Sequence, residues 1–324
     1  MTCVDGTHVS WKRWWVPVNS EVADATGFLD DPEGPFAEYL DYPTTTLSDL
    51  GSAPCLVLLG EAGMGKTTEL KSEVDRATGT ATPALYVDLG DEPDLTSLRR
   101  TLENDPVFDD WLHGDGPMTL WLDSFDEATI TIDKLVGGLS RLLQELPVDR
   151  LALRLASRSS AWSNRLDREL DRRFDAVKRL TLCPLTHSNA ADAARMAGVE
   201  PEQFLSQVAA QDRGVLAARP LTLRMLVRLA KVGPLPPGRN QLYRESATLL
   251  ARENSDRRQE ERTADLPVQR RLTLARRLAA LTLLTGRPTI RARGTPDTPA
   301  STVTIEDIVS NATELADFEE LLQS

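Results

Sequence analysis

A glycine-rich segment at residues 60–67 has the clearest chemical character in the chain. Its sequence, GEAGMGKT, fits the pattern G-x-x-x-x-G-K-[ST], known as Walker A. In that pattern the backbone N–H groups of a tight loop surround phosphate oxygens, and glycines let the backbone approach the anion without a Cβ in the way. The apolar run before the segment and the helical spacing after it favour this interpretation over a turn that matches by chance. The sequence therefore predicts a loop that binds the phosphates of a nucleoside triphosphate.

Three side chains of this loop have individual roles in the prediction. Lys66 is expected to reach the β- and γ-phosphates, Thr67 to bind Mg²⁺ through its hydroxyl, and Thr68 to lie near the α-phosphate. A helix that begins near Lys66 would direct its N-terminal N–H groups at the anion. The rest of the loop is predicted to bind the nucleotide as well: Gly60, Glu61, Ala62, Gly63, Met64 and Gly65.

Carboxylates follow the apolar run MTLWL at residues 118–122. Asp123, at the end of this predicted strand, is positioned to hold Mg²⁺ through water, which is the Walker B role. Asp126 and Glu127 come next, and one of them is expected to orient or deprotonate an attacking water, with Glu127 favoured. The alternative is a solvated acidic turn. Only one strand–helix unit separates this segment from the phosphate loop, which favours the metal-binding role.

Arg158 is a further candidate because it follows the apolar run LALRLAS at residues 151–157. An arginine at that edge of a sheet is expected to contact the γ-phosphate and to sense its loss. The alternative is an ordinary surface arginine, since the chain has many of them.

Strands and helices alternate around these candidates. Apolar runs predict five strands, at residues 55–60, 84–89, 118–123, 151–157 and 177–182. Helical spacing lies between them, at residues 66–77, 94–102, 132–146 and 166–174. This alternation predicts an α/β fold of the P-loop NTPase kind, with a five-stranded, mostly parallel sheet and the loops after its strands at one edge. Later helices are predicted at residues 187–198, 201–211, 220–232, 239–254 and 267–285, with a short strand at 289–290.

Charge and composition exclude several kinds of partner. The net charge is −12, and residues 1–120 carry 7 basic and 22 acidic side chains. A basic nucleic-acid surface is therefore not expected, and the arginines of residues 252–277 are interspersed with glutamates as on a solvated helix face.

The sequence contains no run of ~18 apolar residues, so no membrane span is expected. Its first residues do not have the pattern of a secretory signal, so a cytoplasmic protein is expected. The three cysteines and three histidines are scattered, which favours reduced thiols and gives no catalytic or metal role to either type.

Several of these segments together resemble the NACHT family. They are GEAGMGKTT, LWLDSFDE with its paired acids, LASRS on the next strand, and ARPLTLRMLVRLA in the helical part. NACHT proteins are STAND-class P-loop NTPases, relatives of AAA+ proteins. In their lid a proline before leucine approaches the nucleotide base, and Pro220 is at that position here. LYRESATLLARE and RRLTLARRLAALTLLTGRPTI resemble the start of their winged-helix region. The resemblance covers roughly residues 50–290.

The resemblance implies a domain order and a function. It assigns residues 51–184 to the NTPase domain, 185–235 to a helical lid, and 236–324 to a partial winged-helix-like region. Residues 1–50 have weak periodicity and are expected to be a mostly irregular segment with one or two short elements. Such proteins hold ADP when off, exchange it for ATP on a trigger and form homo-oligomers. Relatives in bacteria act in signalling and antiviral defence. The trigger and the effector are not identified by the resemblance.

Two departures from the family pattern affect this interpretation. An aromatic–Gly-Arg-Glu motif is missing ahead of the loop, where many relatives contact adenine. Trp11, Trp14 and Trp15 occupy that region, and packing in a core is favoured for them over stacking on a base. A C-terminal repeat sensor is also missing, which leaves a fragment or a truncated gene product as an interpretation.

Three functions compete at this point. The leading one is a nucleotide-dependent switch that binds ATP with Mg²⁺ and hydrolyses it slowly. The second is an AAA+-like remodelling ATPase, which predicts fast turnover and an arginine supplied by a neighbouring subunit. The third is a non-catalytic interaction module that binds a nucleotide without releasing phosphate.

Overall fold

The structure is a computed structural model of the 324-residue chain. It describes residues 2–4, 7–9, 11–35, 37–40, 43–77, 82–92, 95–126, 132–260, 266–287, 289–291, 302–307, 309 and 312–323. The chain divides into two compact units, Met1–Pro234 and Leu235–Ser324.

The described part of the first unit contains eight strands. They are β1 (Thr2–Val4), β2 (Thr7–Val9), β3 (Trp15–Pro17), β4 (Cys55–Leu59), β5 (Ala84–Asp88), β6 (Met118–Asp123), β7 (Leu151–Ser157) and β8 (Val177–Leu182). β1 and β2 form a separate antiparallel pair. The other six form one mixed sheet in the order β3-β8-β4-β7-β6-β5. Strands β4 to β8 run parallel to one another in this sheet, whereas β3 runs antiparallel to β8.

The sheet corrects the prediction of five strands, because β3 adds a sixth. This strand lies in the segment predicted to be mostly irregular with one or two short elements. Its three residues end at Pro17, too short a run for a period-two pattern to be detected. Trp15 is fully buried and packs in the core cluster that contains Leu56 and Leu58. The sequence Trp-Val-Pro therefore forms an edge strand that covers one end of the sheet.

Strand β4 shows why the sequences of the central strands are continuous apolar runs. All five of its side chains are buried. Cys55, Val57 and Leu59 belong to one core cluster, and Leu56 and Leu58 belong to another. Because successive side chains of a strand point to opposite faces, this sheet is covered on both sides.

The helices of the first unit follow the predicted alternation closely. Its described residues form α1 (Lys66–Ala77), α2 (Leu95–Glu103), α3 (Pro106–His113), α4 (Ile132–Glu145), α5 (Asn164–Arg173), α6 (His187–Met196), α7 (Pro201–Ala210), α8 (Gly214–Ala217) and α9 (Pro220–Val232). Helices α3 and α8 lie outside the predicted set, since each is too short for helical periodicity to be read. Helix α6 begins with a capping box in which the side chains of Thr186 and Asn189 each accept a backbone N–H of the other residue.

The described part of the second unit is mainly helical. It contains α10 (Arg239–Glu260), α11 (Val268–Thr285), α12 (Ala312–Gln323) and two short parallel strands, β9 (Thr289–Arg291) and β10 (Thr302–Thr304). Leu274 and Leu278 of α11 and Phe318 of α12 belong to its core cluster. Across the described ranges of both units, no helix has the combined length and apolar character needed to span a membrane.

Two arginines from the basic helical region are engaged in ion pairs. Arg270 contacts Asp317 at 2.8 Å, and Arg277 pairs with Glu314. Both pairs link α11 to α12. These arginines therefore contribute to the packing of the second unit.

Candidate functional site

The predicted phosphate loop connects β4 to α1, which begins at Lys66. Gly63 and Gly65 have φ angles of 75° and 89°. These values lie in the left-handed region, which glycine adopts without the steric cost that a Cβ imposes. The loop therefore has the backbone that its glycine spacing predicts, and it leads directly into the first turn of α1.

One cleft of about 220 Å³ opens beside the loop. It is lined by the loop, the end of β6 and the residue after β7: Glu61, Ala62, Gly63, Gly65, Lys66, Thr67, Asp123, Ser124, Asp126 and Arg158. Lys66 and Asp123, which are distant in sequence, thus share one site. The other described members of the predicted set do not line the cleft: Gly60, Met64, Thr68 and Pro220. Glu127 lies outside the described residues.

The ammonium group of Lys66 is folded onto the loop that carries it. Its Nζ donates to the carbonyl oxygens of Gly60 at 2.5 Å and of Glu61 at 3.2 Å. Burial lowers the pKa of Lys66, and the nearby carboxylates of Asp126 and Asp123 oppose that shift. The cleft thus holds one ammonium between backbone carbonyls and two carboxylates.

Asp123 is buried at the end of β6, with a side chain held by two donors. Its Oδ2 accepts the hydroxyl of Tyr86 at 3.0 Å, and its Oδ1 accepts the backbone N–H of Ser124 at 2.8 Å. Burial and the Asp123 carboxylate raise the pKa of Tyr86, so the phenol stays protonated and keeps its donor role. Tyr86 was not among the predicted site residues. The only sequence signal for it is its place near the end of the neighbouring predicted strand.

Asp126 and Arg158 form a close pair across the ends of β6 and β7. Oδ2 of Asp126 lies 2.7 Å from Nε of Arg158, and Oδ1 accepts the Arg158 backbone N–H at 2.9 Å. The Asp126 side chain is 7% exposed and that of Arg158 41%. The backbone N–H of the fully buried Phe125 donates to Ala156 at 3.1 Å, which holds the turn after β6 against β7. This anchoring places the carboxylate opposite the arginine.

Helix α9 begins directly against the phosphate loop. The N–H of Leu221 donates to the carbonyl of Gly63 at 3.3 Å. A Cβ placed on Gly65 would lie 3.6 Å from Cγ of Pro220. Pro220 therefore lies next to the loop, while the role at a nucleotide base that the family resemblance implies for it stays a prediction.

The oxygen donors of the cleft fit a magnesium ion held together with phosphate. Mg²⁺ prefers one or two carboxylates completed by water and phosphate oxygens. The Thr67 hydroxyl and the Asp123 carboxylate line the same cleft and are hard donors of this kind. Within the described ranges no group of three or more histidine, cysteine, aspartate or glutamate side chains is arranged to hold a metal alone.

Neither a protein-family model nor a curated protein matches the chain. Among solved structures, the chain is similar to RuvB of Thermotoga maritima, titled a Holliday junction branch migration motor, with a TM-score of 0.32 and 14% identity over 61% of this chain and 62% of that one. A RuvB variant gives a TM-score of 0.34 and 18% identity, covering 55% of this chain and 53% of the variant.

The cytoplasmic domain of the Type VII secretion ATPase EccC of Thermomonospora curvata gives a TM-score of 0.32 and 15% identity, covering 53% of this chain and 22% of EccC. The chain thus spans less than two thirds of each of these proteins. Because the TM-scores are low, the function proposed below rests on the geometry of the cleft.

Proposed function

We propose that this chain binds ATP with Mg²⁺ and acts as a nucleotide-dependent switch that hydrolyses ATP slowly. One observation carries the proposal: a left-handed glycine loop, its lysine and threonine, and a buried strand-end aspartate line the same cleft. Backbone N–H groups and an ammonium suit a polyphosphate, and the adjacent oxygen donors suit its cation.

Each group has a defined task in this proposal. The loop N–H groups and Lys66 bind the phosphates, with Lys66 leaving the loop carbonyls for phosphate oxygens. Thr67 and Asp123 would hold Mg²⁺, which neutralises phosphate charge when bound. Tyr86 and the Ser124 N–H fix the orientation of the Asp123 carboxylate.

The pair of Arg158 and Asp126 supplies the switch in this proposal. A γ-phosphate in the cleft is a second acceptor for Arg158, and the guanidinium can bind either the phosphate or the carboxylate. Loss of the γ-phosphate returns Arg158 to Asp126. The nucleotide state is thereby converted into a choice between two partners of one arginine.

The resemblance to NACHT proteins extends the proposal beyond the cleft. It assigns residues 185–235 to a lid and 236–324 to a partial winged-helix region, and it implies homo-oligomer formation after exchange of ADP for ATP. A role in bacterial defence or regulation, with a trigger and an effector still to be identified, follows from the resemblance alone.

A second candidate function is nucleotide binding without hydrolysis. It is favoured by the engagement of both Asp126 oxygens by Arg158. A carboxylate in that state is a poor general base, because the positions that would accept a proton are already occupied by N–H donors.

Binding is tested by calorimetric titration of the full chain with ATP, with and without Mg²⁺. Lys66→Ala should weaken ATP binding by about 100-fold or more, because Lys66 makes charge-assisted hydrogen bonds to two phosphates. Lys178→Ala removes the same charge from an exposed position on β8 and should leave the affinity unchanged. The proposal would be contradicted if the two variants bound ATP with equal affinity, or if the affinity for ATP were the same with and without Mg²⁺.

Release of inorganic phosphate separates the candidate functions. Slow release that stops in Glu127→Gln supports the hydrolysing switch. Binding without release supports the non-catalytic module, and rapid turnover supports a remodelling ATPase.

A further inference from the structure

A buried arginine from the N-terminal segment lies behind the phosphate loop. Arg13 is 5% exposed and precedes β3. Its Nη1 donates to the carbonyl of Met64 at 2.8 Å, and its Nη2 donates to the carbonyl of Cys183 at 2.7 Å. One guanidinium therefore joins the phosphate loop to the chain just beyond β8.

The contact with Met64 determines which way the next backbone N–H points. A peptide bond is planar and trans, so its C=O and the following N–H point in opposite directions. With the Met64 carbonyl turned toward Arg13, the Gly65 N–H is turned away from Arg13. Gly65 itself lines the cleft. We propose that Arg13 is a positioning residue that holds the Met64 peptide so that the Gly65 N–H faces the phosphates.

The preceding peptide of the loop is held in the same manner by another element. The Leu221 N–H of α9 donates to the Gly63 carbonyl at 3.3 Å, which turns the Met64 N–H away from α9. Two successive peptide planes are thus fixed by donors from outside the loop. Arg13 supplies the shorter and charged contact of the two.

The charge of Arg13 is maintained in spite of its burial. Desolvation lowers its pKa to about 10, with the Glu69 carboxylate opposing the shift, so the guanidinium is a cation at neutral pH. Both of its recorded hydrogen bonds go to carbonyls, and the positive charge lies close to the loop: a Cβ placed on Gly65 would be 3.2 Å from Nη1. The cation therefore also favours an anion on the other side of the loop.

The chain contains a matched control for this role. Arg154 on β7 is 2% exposed, and burial also lowers its pKa to about 10. It likewise donates to two carbonyls, those of Leu153 and Gly51, each at 3.0 Å. Arg154 does not line the cleft. Its replacement removes a similar buried cation without touching the phosphate loop.

The first measurement needs no nucleotide. Amide resonances of full-length protein labelled with ¹⁵N-glycine are compared for wild type, Arg13→Met and Arg154→Met. The Gly65 resonance should move in Arg13→Met and stay in Arg154→Met, because its peptide plane is released only in the first. An unmoved Gly65 resonance in Arg13→Met overturns the inference.

The second measurement is the affinity for ADP, and here the inference rests on the proposed function. Arg13→Met should bind ADP about 10-fold or more weakly than wild type, the loss expected when one amide bond to a charged group is misaligned. Arg154→Met should bind as wild type does. If the wild type binds ADP and the two variants bind it with equal affinity, the inference is overturned and the proposed function stands. If the wild type binds no nucleotide, the proposed function is overturned, and the shift of the Gly65 amide resonance decides the role of Arg13.

If Arg13→Met does not fold, the conservative variant Arg13→Lys tests the inference instead. Arg13→Lys keeps the charge but can reach only one of the two carbonyls. It should remain folded and bind ADP about 3- to 10-fold more weakly than wild type. Wild-type affinity in Arg13→Lys counts against the inference.

Discussion

The hydroxyl of Tyr86 crosses from β5 to the buried carboxylate of Asp123 on β6. Asp123 is only 2% exposed, so few water molecules can replace that donor. A carboxylate that is free to rotate would meet a metal ion in several orientations, whereas one fixed by two donors presents its remaining lone pairs in a single direction. We therefore expect Tyr86 to act as a positioning residue for the predicted metal ligand.

Tyr86→Phe should separate this positioning from packing, because it removes the hydroxyl and keeps the ring. We expect the free energy of unfolding to fall by about 1–3 kcal/mol, the cost of leaving a buried charged acceptor without its donor. We also expect the Mg²⁺ concentration needed for half-maximal ATP binding to rise by about 3- to 10-fold. Denaturant unfolding and Mg²⁺ titrations measure the two effects. Tyr243→Phe, at a half-exposed tyrosine of the second unit, serves as the control. An unchanged Mg²⁺ requirement would argue against the role.

At the scale of elements, the sequence predicted what depends on local patterns. Glycine spacing predicted the left-handed loop between β4 and α1, and apolar runs predicted β4 to β8, because burial on both faces leaves a continuous signal. The same runs identified Asp123 and Arg158 as strand-end residues, which parallel topology collects at one edge.

Contacts between distant segments could not be predicted in this way. Arg13 meets carbonyls 51 and 170 residues away, and Tyr86 meets a carboxylate 37 residues away. No periodicity encodes such pairings, since they depend on strand order and register. The same holds for β3, whose three residues become a strand only because β8 offers an open edge.

The contact of α9 with the phosphate loop leads to a prediction for Gly63. Its φ of 75° costs a residue with a Cβ about 1–2 kcal/mol. A Cβ there would also lie 3.0 Å from Cβ of Leu221. Gly63→Ala should therefore lower both the unfolding temperature and the affinity for ATP.

Gly137→Ala is the matched control for this variant. Gly137 lies inside α4 with nothing within 4 Å of a Cβ placed on it. Alanine in the interior of a helix should stabilise the protein by about 0.5–1 kcal/mol and leave ATP binding unchanged. A Gly63→Ala protein that matches wild type in stability and affinity would show that α9 and the loop tolerate a change of backbone at this point.

At the scale of the whole molecule, the cleft has to bind an anion although the protein around it is acidic. Residues 1–120 have a net charge of −15, which repels polyphosphate at long range. Screening limits that repulsion to about 8 Å at physiological salt. Inside this range Lys66, Arg158 and the loop N–H groups attract phosphate, and the carboxylates of Glu61, Asp123 and Asp126 line the same cleft. Binding is therefore decided by a small set of groups within one unit.

The first unit alone should bind nucleotide. Every residue that lines the cleft, all six strands of the sheet and the core clusters on both sheet faces lie within Met1–Pro234. A protein consisting of residues 1–234 should therefore fold and bind ADP with the affinity of the full chain. At an ADP concentration of 100 times Kd, binding contributes about 2.7 kcal/mol, which raises the unfolding temperature of a unit this size by about 5–10 °C.

Calorimetry and thermal unfolding of both proteins, each compared with its Lys66→Ala variant, measure this expectation. A shorter protein that unfolds cooperatively but binds ADP at least about tenfold more weakly would mean that the second unit contributes free energy to binding. The cleft of the first unit would then be incomplete on its own. Equal affinities would leave residues 235–324 free for a role that follows nucleotide binding, as the switch requires.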